Sequence, residues 1–171
     1  MASGSDIVQT AKRHLGERYV LGSVADYANP NFTGPWDCAE FASWCLYRVS
    51  RINFGARAEG AGWNAYTGFW AEDARNAHAV IRWQEAAIVA GAFLVRIPGA
   101  HTGVASGHIA ICDGSNRTIE AMDSAHGVTK GKINGRIWDL GVLVPGTDYS
   151  QASLTKKSSR AIRKGEPSPA S

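Results

Sequence analysis

Apolar residues recur at helical spacing in three stretches of the chain. Ile7, Val8, Ala11, His14 and Leu15 make the first stripe, so the spacing predicts a helix capped at Ser5/Asp6 and ended by Gly16. Phe41, Trp44, Cys45 and Val49 make the second. Gly34-Pro35 breaks the chain before it and Asp37 is a good N-cap, which predicts a helix from about Cys38. Trp63, Tyr66, Phe69, Trp70 and Ala74 make the third, with Glu72, Asp73 and Arg75 charged between them. Residues 51–62, rich in Gly and Ala with little periodicity, read as a loop. From residue 80 onward the pattern changes to short apolar runs. Strands are expected at 80–83, 91–97, 107–112, 117–122 and 137–144, with one helical turn at Glu85-Ala86-Ala87 and a polar turn at 130–134. Asp113-Gly114-Ser115-Asn116 reads as a hairpin turn joining two of them. Helices followed by strands indicate an α+β domain.

The chain has 171 residues, 44% hydrophobic and 19% charged, which suits one globular domain. Its net charge of +3 is uneven. Residues 1–145 carry thirteen basic and thirteen acidic side chains, whereas residues 146–171 carry five and two. The basic character belongs to the tail, so the charge gives no support to a basic nucleic-acid face on the fold, and no nucleic-acid partner is expected. The expected division is a domain over 1–146 and a basic tail over 147–171, disordered from about 150. Three cysteines do not make a disulfide scaffold, and Cys38 and Cys45 lie about 10 Å apart along one helix, too far to bridge. The histidines and cysteines show neither H-E-x-x-H nor C-x-x-C, so no metal and no cofactor are expected. No apolar run reaches the roughly 18 residues of a membrane span, and the first residues lack the pattern of a signal peptide.

Against this background three polar positions form a candidate constellation. A cysteine in the first turn of a helix meets unpaired N–H groups and the positive end of the helix dipole, which favour its thiolate. Most cysteines are simply small buried hydrophobes, and only two residues later in the chain set Cys38 apart. His108 opens the strand Gly107-His108-Ile109-Ala110-Ile111-Cys112, and Glu120 lies on the next strand, placed opposite His108 by the hairpin turn. Cβ alternation puts His108, Ala110 and Cys112 on one face and Ile109 and Ile111 on the other, so the isoleucines are expected to fill the core and free the His108 face. Nucleophile, base and orienting carboxylate are then in reach of one another. His101, in a loop, competes as base, and Asp123 competes with Glu120 as orienter. His14, on the first stripe, reads as a packed histidine.

These residues resemble the NlpC/P60 family of papain-like cysteine peptidases. The resemblance rests on Gly16-Glu17-Arg18-Tyr19-Val20-Leu21-Gly22, Asp37-Cys38-Ala39-Glu40-Phe41, Gly91-Ala92-Phe93-Leu94, Gly107-His108-Ile109 and Gly141-Val142-Leu143-Val144-Pro145, in order over about residues 5–146. It departs at Ala39, where the family usually has Ser, and at Glu120, where His, Asn or Gln is usual; a Glu there is also reminiscent of CHAP amidases. The resemblance implies a papain-like α+β fold, helices packed on a mostly antiparallel sheet. It implies hydrolysis of amide bonds in peptidoglycan peptides by Cys38 and His108, with Glu120 orienting the imidazole. Tyr19 is expected at the oxyanion, and Asp37 with it on the substrate side of the cleft. The segment after the nucleophile helix often walls the cleft in such enzymes, so Trp63 and Trp70 are expected to touch substrate, although an aromatic stripe is more often core. With no signal peptide, delivery by another machine is expected, as for an antibacterial effector with an immunity or delivery partner or a phage enzyme, acting in the cell wall or periplasm. A CHAP-like amidase cutting sugar from peptide, another Cys-His acyl-transfer enzyme and an inactive wall-peptide binder are the competing readings.

Overall fold

The computed structural model describes residues 1–104 and 106–150. Its elements are α1 (Gly4–Lys12), α2 (Cys38–Ser50), β1 (Ala56–Glu59), β2 (Gly62–Ala65), α3 (Thr67–Asn76), β3 (Val80–Ile81), α4 (Trp83–Ala86), β4 (Phe93–Arg96), β5 (His108–Cys112), β6 (Arg117–Asp123), β7 (Gly127–Lys132) and β8 (Leu140–Val142). β1 and β2 form a separate hairpin, and the other strands form an antiparallel sheet in the order β3-β8-β4-β5-β6-β7.

α1 begins earlier than its apolar stripe indicates. Ser3 is the N-cap, and it closes a reciprocal capping box with Asp6: Asp6 N donates to Ser3 Oγ at 3.2 Å and Ser3 N to Asp6 Oδ2 at 2.9 Å. The regular helix stops at Lys12, and tighter turns carry the chain on to Gly16. The start of α1 lies directly against the turn before β4. A Cβ on Gly4 would fall 2.0 Å from Ala90 O, so only glycine lets the two backbones approach. Gly4 N donates to Asp148 O at 2.9 Å, and the Tyr149 hydroxyl accepts from Val144 N at 2.9 Å. The chain therefore stays packed on the domain past Gly146. The rest of the basic segment expected to be disordered, from residue 151, lies outside the described residues.

α2 is the buried helix that its pattern predicts, with Asp37 accepting from Glu40 N at 2.9 Å. Phe41, Trp44, Cys45 and Leu46 are buried with Ile7, Ala11, Trp36, Phe93, Val95, Ile109, Ile111 and Ile119 in one core between the helices and the sheet. The expectation that the other sheet face would be free is wrong. Leu94, Ala110 and Cys112 on that face pack under Ala86, Ala87, Ile133 and Trp138, so every residue of β5 is buried. α4 and the segment before β8 cover it. The surface left to His108 is the strand's open end, not its face.

Residues 51–62 are not a loop throughout. β1 pairs with β2 from Ala56↔Ala65 to Glu59↔Gly62. Its glycines and alanines carry little strand propensity, and the hairpin is held from outside. Asp73 on α3 accepts from Arg57 at 3.0 and 2.7 Å and from Gly55 N at 2.7 Å. α3 accordingly starts at Thr67, and Trp63 belongs to β2 and not to the helix.

Candidate active site

The first turn of α2, the ends of β4, β5 and β6, and the segments around Tyr19 and Tyr66 enclose a cleft of about 430 Å³. Cys38, the first helical residue after the Asp37 cap, lies in it half-buried. Its sulfur sits 3.8 Å from Thr67 Oγ1. All three cysteines are free thiols, and Cys45 and Cys112 are fully buried, where burial holds both thiols well above their ordinary pKa.

His108 enters from the start of β5, 6% exposed. Its Nε2 is 2.9 Å from Glu120 Oε1. Ile111↔Ile119 and Cys112↔Thr118 set the hairpin register. Extended along the strands, that register puts Ala110, and not His108, across from Glu120. The two side chains are diagonal neighbours on one face, within reach of each other. Glu120 occupies Nε2, so Nδ1 is the ring nitrogen that it leaves free. Burial alone lowers the His108 pKa, but hydrogen bonding and charge from Cys38 and Glu120 outweigh it and raise it to about 9. Burial likewise raises Glu120, and His108 and Arg136 reverse this and bring its carboxyl down to about 2.

Arg136 is the partner that reading the sequence missed. Its NH2 donates to Glu120 Oε1 at 2.6 Å and its NH1 to Oε2 at 2.9 Å. Thr118 Oγ1 also donates to Oε2. With His108 on Oε1, Glu120 has a donor on each of its four acceptor positions. Arg136 stacks on Trp138, 4.7 Å from the ring centroid, and Trp138 lies 6.0 Å from the His108 ring. The room for this fork comes from β7: a Cβ on Gly131 would lie 2.5 Å from Thr118 Oγ1 and 2.8 Å from Glu120 Oε2.

The competing residues are elsewhere. His101 pairs through Nε2 with Asp139 at 2.8 Å and is absent from the cleft lining. Asp123 lines the cleft, but its Oδ1 serves the exposed His126, at 2.7 Å from Nδ1, and not His108. His14 packs edge-on between Trp36, Phe41 and Trp44 with Glu17 on its Nδ1. Tyr19 lines the cleft beside Cys38 and Asp37. Burial first, then the nearby Cys38, Asp37 and Asp123, push its hydroxyl up to about 12, so it remains a donor at neutral pH. Asp37 also faces the cleft while it caps α2. The two tryptophans do not. Trp70 is 0% exposed, with its indole N–H on Ser43 Oγ at 2.9 Å, and Trp63, a residue of β2, packs against the main core outside the lining. Trp70 belongs to the core, Phe69 packs on Tyr66 and Arg57 outside it, and Tyr66 alone among these aromatics reaches the cleft.

No protein-family model matches the sequence, and no curated protein does. Solved structures do match. The NlpC/P60 domain of the peptidoglycan hydrolase SagA is 23% identical, with a TM-score of 0.60, over 84% of this chain and 100% of that one. The chain has the NlpC/P60 fold. The same fold relates it to the peptidoglycan hydrolase RipB from Mycobacterium tuberculosis, 17% identical with a TM-score of 0.56 over 82% of this chain and 63% of that one. NlpC1 from Trichomonas vaginalis is 16% identical with a TM-score of 0.54, and this chain spans 44% of its length. The NlpC/P60 fold explains why a helix N-terminus and a strand end meet at one cleft. The occupants of that cleft are this chain's own.

Proposed function

We propose that this cleft hydrolyses amide bonds in peptidoglycan peptides by nucleophilic catalysis from Cys38. What supports the reading is the cleft that Cys38 and His108 line together, with His108 Nε2 2.9 Å from the Glu120 carboxylate, so that Nδ1 is the ring nitrogen free to serve the sulfur. A carboxylate on an imidazole favours the imidazolium, and so the thiolate–imidazolium pair. The thiolate attacks the amide carbonyl. The C–N bond breaks as His108 passes its proton to the leaving amine, giving a thioester. His108 then takes a proton from the water that attacks the thioester; the C–S bond breaks, the acid product is released and loses its proton to solvent, and the Cys38 thiolate and His108 imidazolium are restored. The Cys38 N–H at the helix start and the Tyr19 hydroxyl stabilise the oxyanion. Asp37 faces the same space from the substrate side.

The substrate class is supported by the hydrolase likenesses and by the short motifs around Cys38 and His108. Digestion of purified peptidoglycan tests it: fragment masses showing a cut within the stem peptide support a peptidase, and a cut between sugar and peptide indicates an amidase of the CHAP kind. Intact peptidoglycan, with Cys38 alkylated by iodoacetamide no faster than a free cysteine, refutes both. Delivery as an effector is a separate part of the proposal. Expression in a bacterium with and without a periplasmic leader tests it, and lysis in the absence of the leader overturns it.

A further inference from the structure

Glu40 is a carboxylate that the proposed hydrolysis does not use, and it is 0% exposed. It occupies the third position of α2, two residues after Cys38, where a glutamate commonly folds back on the N-cap. Here it reaches outward. Oε1 accepts from Ala65 N at 2.7 Å, and Oε2 accepts from the Tyr27 hydroxyl at 3.0 Å and from Ala25 N at 3.3 Å. Two separate chain segments therefore converge on one side chain. One ends β2 and leads through Tyr66 to Thr67, whose hydroxyl lies 3.8 Å from the Cys38 sulfur. The other continues from the segment that carries Tyr19 and Leu21 into the cleft.

We propose that Glu40 is a positioning residue that ties both rims of the cleft to the first turn of the nucleophile helix and so holds Thr67 against Cys38. The β1–β2 hairpin pairs with no other strand among the described residues, so the Ala65 bond is its direct tie to α2. The three donors all satisfy an anion, whereas burial favours the neutral acid and raises the Glu40 pKa to about 7. The other titratable groups acting on it are Tyr27 from the preceding loop and Asp37 at the start of its own helix. The ties are therefore strongest above neutrality and loosen as Glu40 takes up its proton. A glutamine keeps the shape but turns one acceptor atom into a donor, facing either Ala65 N or the Ala25–Tyr27 pair.

The inference rests on the proposed role of Cys38 as nucleophile, but its test needs no wall substrate. Amide exchange and iodoacetamide alkylation of Cys38 are measured at pH 8 in wild type and Glu40→Gln. Exchange at Ala65 and Ala25 about tenfold faster, with Ile119 in the sheet unchanged and Cys38 alkylation slowed about threefold or more, supports positioning. In wild type the Ala65 amide shift also titrates near pH 7, and in Glu40→Gln it is flat. Faster exchange with Cys38 reactivity unchanged makes Glu40 a structural carboxylate only and overturns the proposal. If Glu40→Gln does not fold, Tyr27→Phe removes a single donor: slowed Cys38 alkylation then supports the proposal, and an unchanged rate overturns it. Failure to digest peptidoglycan leaves every one of these outcomes readable.

Discussion

Removing the Arg136 guanidinium, as Arg136→Met, isolates the cation that reading the sequence did not find. Glu120 has a side chain 0% exposed, and its two bonds to Arg136 are 2.6 and 2.9 Å. Stripping one partner from a fully buried ion pair costs about 3–5 kcal/mol, because the other charge is left without compensation. Arg136 is 25% exposed, and His108 and Thr118 remain on the carboxylate, which reduces the loss to about 2–3 kcal/mol. With a urea slope of about 2 kcal/mol/M, the midpoint should fall by about 1 M. Acidification adds a second signature. Glu120 is held near 2, below its ordinary 4.5, so it contributes stability above pH 4.5 that is lost as pH falls towards 2. Without Arg136 its pKa rises, and acid unfolding should begin at higher pH. The assay is urea denaturation followed by tryptophan fluorescence at pH 7 and pH 4. A midpoint within about 0.3 M of wild type at pH 7 would show that the fork contributes nothing and that the reasoning is wrong.

Cys38→Ser and His108→Ala should each abolish hydrolysis with the melting temperature nearly unchanged for the serine variant, and the double variant should be no worse than either single one; a further loss of several orders of magnitude refutes their coupling. Glu120→Gln should slow turnover by about 10- to 1000-fold, while Asp123→Asn, which touches His126 and not His108, should matter little; the reverse ranking refutes Glu120 as orienter. His108 is raised from 6.5 to about 9, so its contribution to stability is full below pH 6.5 and fades as pH rises through 9, and Glu40, raised from 4.5 to about 7, fades earlier in the same direction. Glu120 adds its share above pH 4.5, so thermal stability should peak near pH 5 and decline towards pH 9; a rise from pH 5 to pH 8 contradicts this. Gly131→Ala, which would crowd the Glu120 carboxylate, should destabilise by about 2 kcal/mol in urea unfolding, and a cost below about 0.5 kcal/mol would show that the fork has room to move.

What was legible in the sequence was local. Asp37 before an apolar stripe gave away α2, and Asp113-Gly114 between two apolar runs gave away the hairpin that brings Glu120 to His108. Both depend on neighbours within a few residues. The β1–β2 hairpin was hidden because its strands have little propensity of their own and are fixed by Asp73 and Glu40, which are distant in sequence. Trp63 and Trp70 are expected at the substrate only from the resemblance, whereas an aromatic stripe read on its own points to core, which is where Trp70 lies. Arg136 stands in an irregular stretch before Trp138, and no periodicity marks it. The covering of the second sheet face was equally invisible, since Ala110 and Cys112 are too small to announce burial.

The filling of all four acceptor positions of Glu120 has a consequence for how this site can change by descent. Asparagine or histidine at position 120, tried alone, would strand Arg136 and Thr118 around a group that no longer accepts from both. A side chain at position 131, tried alone, would collide with the carboxylate it faces. The substitutions become tolerable only in company, because loss of the cation alone strands the buried carboxylate and loss of the acid alone strands the guanidinium, with the β7 gap refilled after both have changed. Positions 118, 120, 131 and 136 thus form a block in which the order of mutation matters, and lineages leaving this arrangement must pass through few permitted sequences.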